Sequence, residues 1–264
     1  AEEAMEETIQ MLNVYTDMAV NDAAIPVIPG EKSAIERFAG ALQTFTIEAM
    51  MRNGWALQSG TSHLLGEKFS RVFDIQYLDE DNQQKYAHTT SWGVSTRFVG
   101  AVIMAHGDDR GLRLPPKMAP IQVVIVPIWR KAKEREEVMA SAERVERTLK
   151  QAGIRVKLDD REHLTPGFKF NDWEMRGVPL RIEIGPRDVK QQSVVAARRH
   201  LPGKEGKTFG VPIENIAISV EALLQEVHDG LYQQALDFRN ENTHIGIEDY
   251  ETFQQVAKEK GGFL

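Results

Sequence analysis

Arg97 is a permanent cation set in a run of small and apolar residues, "TTSWGVSTRFVGAVIMAHG". A guanidinium is always charged and presents a planar fork of donors that suits phosphate oxygens. Where a strand passes into a helix, among Gly93, Ser95 and Gly100, it could reach a polyphosphate from a rigid base. Spacing alone leaves a buried ion pair open as well, for instance with Glu48. A second stretch, "QSGTSH" (Gln58 to His63), offers neutral hydrogen-bonding groups between small residues. Strict strand alternation places Gln58, Gly60 and Ser62 on one face and Ser59, Thr61 and His63 on the other. Small residues in a row let a ligand approach the backbone, although a polar edge strand would look the same. His63, His88, His106 and Asp108 invite a metal-dependent hydrolase, yet no pair among them has helical ligand spacing. "HGDDRG" reads as a tight turn with Asp caps. No GxxxxGK[ST] loop and no Ser-x-Gly nucleophile elbow occurs, which disfavours a P-loop enzyme or an α/β hydrolase.

Charge points to a second kind of chemistry. Residues 1–114 carry 9 Lys+Arg against 16 Asp+Glu, residues 115–207 carry 20 against 13, and residues 208–264 carry 3 against 10. A basic middle in a chain of net charge -7 suggests that one part meets a polyanion. Alternating Lys and Glu over 130–150 read as a solvated helix face. Over 169–207 the cations instead surround aromatic residues: Lys169, Trp173, Glu174, Arg176, Arg181 and Arg187, then Arg198, Arg199, Lys204 and Lys207. Cations interleaved with aromatics suit unstacked bases of a single-stranded RNA loop, and charge-paired strands would resemble them.

The elements that must position these residues fall into two patterns. The opening residues have apolar spacing of a helix with an acidic first turn, and "IPVIPGEK" breaks it. "LQTFTIEAMM" and "WALQSGTSHLLG" read as strands joined by Arg52-Asn53-Gly54, a strong hairpin signal. Two further strands flank the turn at Asp79–Gln84, and "STRFVGAVIMAHG" reads as a buried helix ended by Gly107. The first 114 residues are therefore an α+β antiparallel meander. "RLPPKMAP" marks a joint. Beyond it a fully apolar strand, "IQVVIVPI", an amphipathic helix closed by Gly153 and three more strands predict a mixed α/β sheet flanked by helices. A long amphipathic helix follows over "ENIAISVEALLQEVHDGLYQQALDFRNEN", then a short acidic one. The predicted divisions are 1–114, 115–225 and 226–264.

With 264 residues, 42% of them hydrophobic, the chain can bury one large core or two ordinary ones. It has no cysteine, which excludes disulfides, thiolate metal sites and a cysteine nucleophile. No apolar run long enough for a membrane span and no signal segment is found, and a cytoplasmic protein is expected.

Taken in order, "TIEAMM", "ALQSGTSHLLG", "TTSWGVSTR", "HGDDRGLRLPP" and "VPLRIEIGPRD" resemble prolyl-tRNA synthetases of the archaeal and eukaryotic-like type, a class II family, along essentially the whole chain. The resemblance implies a class II catalytic portion followed by an α/β anticodon-binding domain and the start of a C-terminal domain. It implies that Arg97 holds the ATP phosphates, that Gln58 and Thr61 bind ATP, and that His63, Trp92 and Thr96 face proline. Glu174, Arg181 and Lys204 would read the anticodon. ATP and Mg2+ would be required, tRNA(Pro) and proline would be the partners, and the complete enzyme would be a homodimer. The family's first two class motifs have no counterpart here, so a fragment inactive by itself is expected. The alternative is a non-catalytic RNA-binding paralogue.

Overall fold

The computed structural model describes residues 1–259 and 261–263. They form two compact units, one of residues 1–21, 25–105 and 235–264, the other of residues 22–24 and 106–234. Among the described residues no helix is long and apolar enough to cross a membrane.

The first unit begins with α1 (Glu2–Asp17), whose buried positions Ala4, Thr8, Leu12 and Tyr15 follow a helical stripe. A π-helical turn over Met18–Asp22 ends it. β1 (Ile28–Glu31), β2 (Gln43–Met50) and β3 (Ala56–Gly66) follow. After them come α2 (Lys68–Val72), β4 (Gln76–Leu78), β5 (Gln84–Tyr86), β6 (Thr89–Gly93) and α3 (Arg97–His106). An antiparallel sheet has the order β1-β2-β3-β6, and β4 and β5 form a separate ribbon. The Asn53-Gly54 hairpin forms as its sequence requires: Gly54 has φ +79 and Met51 N–H donates to Trp55 O at 2.9 Å. "IPVIPGEK" does more than end α1. It supplies edge strand β1, where Pro29 is tolerated because an edge strand can leave the missing N–H outward. The expected buried helix is α3, buried on one face only. Phe98, Ala101, Val102 and Ala105 are covered while Val99, Ile103 and Met104 are exposed.

The second unit contains β7 (Val123–Pro127), α4 (Ala132–Gln151), β8 (Val156–Leu158), α5 (Pro166–Met175) and β9 (Leu180–Ile184). α6 (Pro186–Gln191), β10 (Ser193–Arg198), β11 (Lys207–Pro212) and α7 (Ile216–Glu241) as far as Gln234 complete the series. The sheet order is β11-β10-β9-β7-β8. β7 runs parallel to β8 and β9, and the other pairs are antiparallel. β7 is buried at every position, as a strand covered on both faces must be. One face packs Val123, Ile125 and Ile182 against Val138, Val145 and Leu149 of α4 and Val220 and Leu224 of α7. The other packs Val124 and Val126 against Trp173 of α5. α4 starts where Glu134 accepts from the N–H groups of Arg130 and Lys131, and ends at Gly153 with φ +79. A last helix, α8 (Tyr250–Glu259), lies in the C-terminal segment.

Candidate functional site

The polar face of the first unit's sheet depends on one extra residue. Ile47 pairs with Gly60 and Glu48 with Gln58, so Ser59 is a bulge in β3. Ser59 is buried and donates its hydroxyl to Leu57 O at 3.1 Å. A bulge reverses the alternation beyond it. Gln58, Thr61 and His63 thus oppose Glu48, Thr46 and Thr44 of the regular strand β2 and share one face. Strict alternation had put Gln58 opposite to the other two; the bulge corrects that. On the other side of β3, Thr61 pairs with Gly93 and His63 with Ser91, while Gly30 pairs with Thr46. A Cβ added at Gly30 or Gly93 would meet nothing within 4 Å, so there is open space at these two glycines, whereas Thr44 and Thr46 of β2 are buried.

The opposite face is closed. Ser62 donates to Thr8 O of α1 at 2.7 Å, and a Cβ on Gly60 would press on Tyr15 and Ile47. Trp92 pairs with Ser62 and so stands on this α1 side of the sheet. The resemblance implies Trp92 beside proline with His63; the register puts the two on opposite faces of the sheet, and the residue it brings opposite His63 is Ser91. Thr44, Glu48 and Ser91 also belong to the polar face. They could not be found without the pairing partner.

His63 is half-buried and tightly held. Its Nδ1 lies 3.0 Å from Thr44 Oγ1, its ring centroid lies 4.9 Å from that of Phe38, and burial lowers its pKa. Arg97 is the first residue of α3, with its N–H bonded to Ser95 Oγ at 3.2 Å. Its side chain is exposed and makes no ion pair within the described residues, so the buried pair with Glu48 is not formed. Thr96 beside it is exposed.

The metal-hydrolase reading finds no ligand set. Both Asp108 oxygens are held by Arg199 at 2.8 and 2.6 Å, which lowers its pKa to about 2. His106 Nε2 pairs with Ala23 O, and His88 lies 3.4 Å from Glu67. Among the described residues no three His, Asp or Glu side chains converge on one point.

In the second unit Glu174, Arg181 and Lys204 line one cavity of about 370 Å3, together with Arg110, Phe170 and Lys207. α5 carries Phe170 and Glu174, and it forms because Thr165 caps it, accepting from Phe168 N–H at 3.3 Å, with Pro166 next in line. Arg181 of β9 donates from Nε and Nη2 to Glu183 Oε1 at 3.2 and 3.0 Å, and its guanidinium carbon sits 4.1 Å from the Phe170 centroid. Lys207 of β11 holds the other Glu183 oxygen at 2.8 Å. Glu174 accepts from Arg110 at 2.7 Å. "HGDDRG" is the expected tight turn, with Asp108 N–H and O both bonded to Gly111, and it also delivers Arg110 to the cavity. Lys204 is exposed in the turn between β10 and β11.

Residues 122–223, which contain this sheet and its cationic, aromatic-lined cavity, match the family model described as an anticodon binding domain. The likeness extends much further along the chain. It is 56% identical over 243 residues to the chloroplastic/mitochondrial proline–tRNA ligase of Arabidopsis thaliana, covering 91% of this chain and 45% of that protein. It is 52% identical to the proline–tRNA ligase of Roseiflexus castenholzii, covering 97% of this chain and 53% of that one. Among solved structures, the prolyl-tRNA synthetase of Cryptosporidium parvum complexed with halofuginone and AMPPNP superposes with a TM-score of 0.91 at 41% identity, covering 98% of this chain and 52% of that one. The complex of that enzyme with L-proline and AMP gives 0.85 at 43% identity, covering 91% and 51%. The chain is thus a homologue of proline–tRNA ligases along most of its own length, and it spans about half the length of the curated relatives it matches.

Proposed function

We propose that this chain belongs to an enzyme that attaches proline to tRNA(Pro) at the expense of ATP. The observation that carries the reading is the face shared by Gln58, Thr61 and His63, created by the Ser59 bulge in a chain homologous to proline–tRNA ligases. Residues 1–114 supply part of the catalytic domain, 115–225 the anticodon-binding domain and 226–264 the start of a C-terminal domain. Gln58 and Thr61, whose side chains make no hydrogen bond within the described residues, are free to meet ATP. Arg97 meets the phosphates, and His63 and Thr96 face proline. Trp92, on the other face of the sheet by register, is left out of this assignment. Glu174, Arg181 and Lys204 read the anticodon.

In the first step a proline carboxylate oxygen attacks the α-phosphorus of ATP, and the bond to the bridging oxygen breaks. Arg97 neutralises charge that gathers on the departing pyrophosphate. In the second step the terminal ribose hydroxyl of the tRNA attacks the acyl carbon, AMP leaves, and the hydroxyl proton passes to solvent. Both steps need orientation and charge stabilisation rather than a protein nucleophile. Mg2+ takes oxygen ligands and would supply further charge neutralisation on the triphosphate; Glu48, in register with Gln58, is the carboxylate on this face that would hold it. The complete enzyme acts as a cytoplasmic homodimer.

Proline-dependent ATP–pyrophosphate exchange tests this in a chain extended to the length of its relatives. Exchange that is lost in Gln58→Ala and Arg97→Ala supports the reading. A full-length protein that binds tRNA(Pro) but shows no exchange would make it an RNA-binding paralogue instead.

A further inference from the structure

We propose that Thr44 fixes His63 in the tautomer whose proton is on Nε2, so that the imidazole presents a neutral donor to an oxygen of the bound amino acid. Thr44 is 1% exposed, and its hydroxyl must satisfy itself inside the protein. Its Oγ1 already accepts from Phe38 N–H at 3.1 Å. Among the described residues its other hydrogen-bond partner is His63 Nδ1, at 3.0 Å. A threonine hydroxyl has one proton to give. If Nδ1 carried a proton, it would donate to Thr44, and the Thr44 proton would be left without an acceptor in a buried site. Nδ1 is therefore the acceptor, and the ring proton lies on Nε2. Phe38 packs against the same ring and fixes its plane. Nε2 makes no hydrogen bond within the described residues. Burial lowers the His63 pKa and so disfavours the charged ring.

The consequence is a preference for acceptors. An Nε2–H donor attracts a carboxylate or acyl oxygen and repels an ammonium group, whose hydrogens also point outward. Thr44 is thus a positioning residue, acting on the substrate through His63. This role rests on the proline reading above, whereas the tautomer does not, and the two are measured separately.

Histidine nitrogen NMR of this chain decides the tautomer. The expected spectrum has His63 Nδ1 unprotonated and Nε2 protonated, unchanged in Thr44→Ser, and a mixture of tautomers in Thr44→Val or Thr44→Ala. A proton on Nδ1 of the unaltered chain overturns the proposal whether or not either variant folds. So does a Thr44→Val spectrum identical to the unaltered one. In the full-length protein, Thr44→Val is expected to raise the KM for proline by about tenfold with kcat little changed, the scale of one hydrogen bond, and Thr44→Ser to restore it. An unaltered KM with the predicted tautomer overturns the substrate contact. Absence of exchange in the unaltered full-length protein would instead count against the proline reading.

Discussion

Replacing Asp159 with Asn should destabilise the second unit severely. Asp159 is 1% exposed at the end of β8. Its carboxylate accepts from Arg161 Nε at 2.9 Å and Nη2 at 2.7 Å, and from Trp173 Nε1 at 2.7 Å. Lys169, 2% exposed, places its ammonium 2.9 Å from Asp159 O and 3.7 Å from Oδ1. Burial pushes the Asp159 pKa up, but the bonds from Arg161 and Trp173 and the charge of Lys169 outweigh it and hold the carboxyl far below its usual range. Asn keeps the shape and one acceptor. Its amide nitrogen must face donors from Arg161 or Lys169, and the negative charge is gone. Arg161 retains Asp172 at 2.9 Å. Lys169 retains a carbonyl alone, leaving a buried cation without its counter-charge. Breaking one side of a buried pair costs ~3–5 kcal/mol. Because Arg161 keeps a partner, the low end of that range, about 3 kcal/mol, is expected.

Hydrogen exchange of the β7 and β9 amides reads the opening free energy of this unit without interference from the other. Adding Lys169→Met removes the stranded cation, so the double variant should recover more than half of the loss. A cost below about 1 kcal/mol for Asp159→Asn, or strict additivity of the two substitutions, would refute the reasoning. The variant also bears on function, because Asp159 ties down α5, and α5 carries Phe170 and Glu174.

Three other outcomes are expected. On acidification the second unit should lose stability in two stages. His200, its pKa lowered to about 4 by burial and by the charges of Arg113 and Arg198, resists protonation in the fold, so stability falls from its ordinary 6.5 down to about 4. Asp108 and Asp159, both depressed, add losses below 3.8, for Asp108 down to about 2; pH-dependent urea unfolding of His200→Asn should lack the first stage alone. In the full-length protein Arg97→Ala should abolish adenylate formation while leaving tRNA binding intact, and Arg181→Ala should weaken discrimination at one anticodon base by about 1–3 kcal/mol; damage to the same step by both, in exchange and filter-binding assays, would undo the assignment of roles. Deleting Ser59 should turn Gln58 toward α1 and lower ATP affinity, measured by calorimetry, with the sheet still formed; unchanged affinity would remove Gln58 from the site.

Local chemistry was legible where the chain contains its own instruction. Asn53-Gly54 needs only its φ preferences to make a hairpin, and Gly153 closes α4 the same way. β7 reads as a covered strand because every residue is apolar. What was not legible depends on a distant partner. The Ser59 bulge exists only relative to β2, and nothing in "QSGTSH" announces it. Trp92 sits near Arg97 in sequence, but its pairing with Ser62 decides its face. α5 escaped the periodicity reading because Lys169 stands among its buried residues, a charge satisfied by Asp159. Pro29 and Gly210 disguise β1 and β11, both edge strands, where the sheet tolerates them.

Arg97 and Arg181 are one residue type prepared in opposite ways. Arg181 is stacked on Phe170 and bound by Glu183, so one edge of its fork is committed and its plane is set. A base edge is neutral, and reading it requires direction more than net charge. Glu183 supplies that direction and also holds Lys207, which leaves the trio with one net positive charge. Among the described residues Arg97 has no carboxylate partner, and it stays in solvent at a helix start. A triphosphate carries several negative charges and can order a free guanidinium by itself, while a resident carboxylate would compete with it. The pairing of each cation therefore follows the charge of the ligand proposed for it. Inserting an acid next to Arg97, as in Thr96→Asp, should harm ATP binding more than Thr96→Ala does.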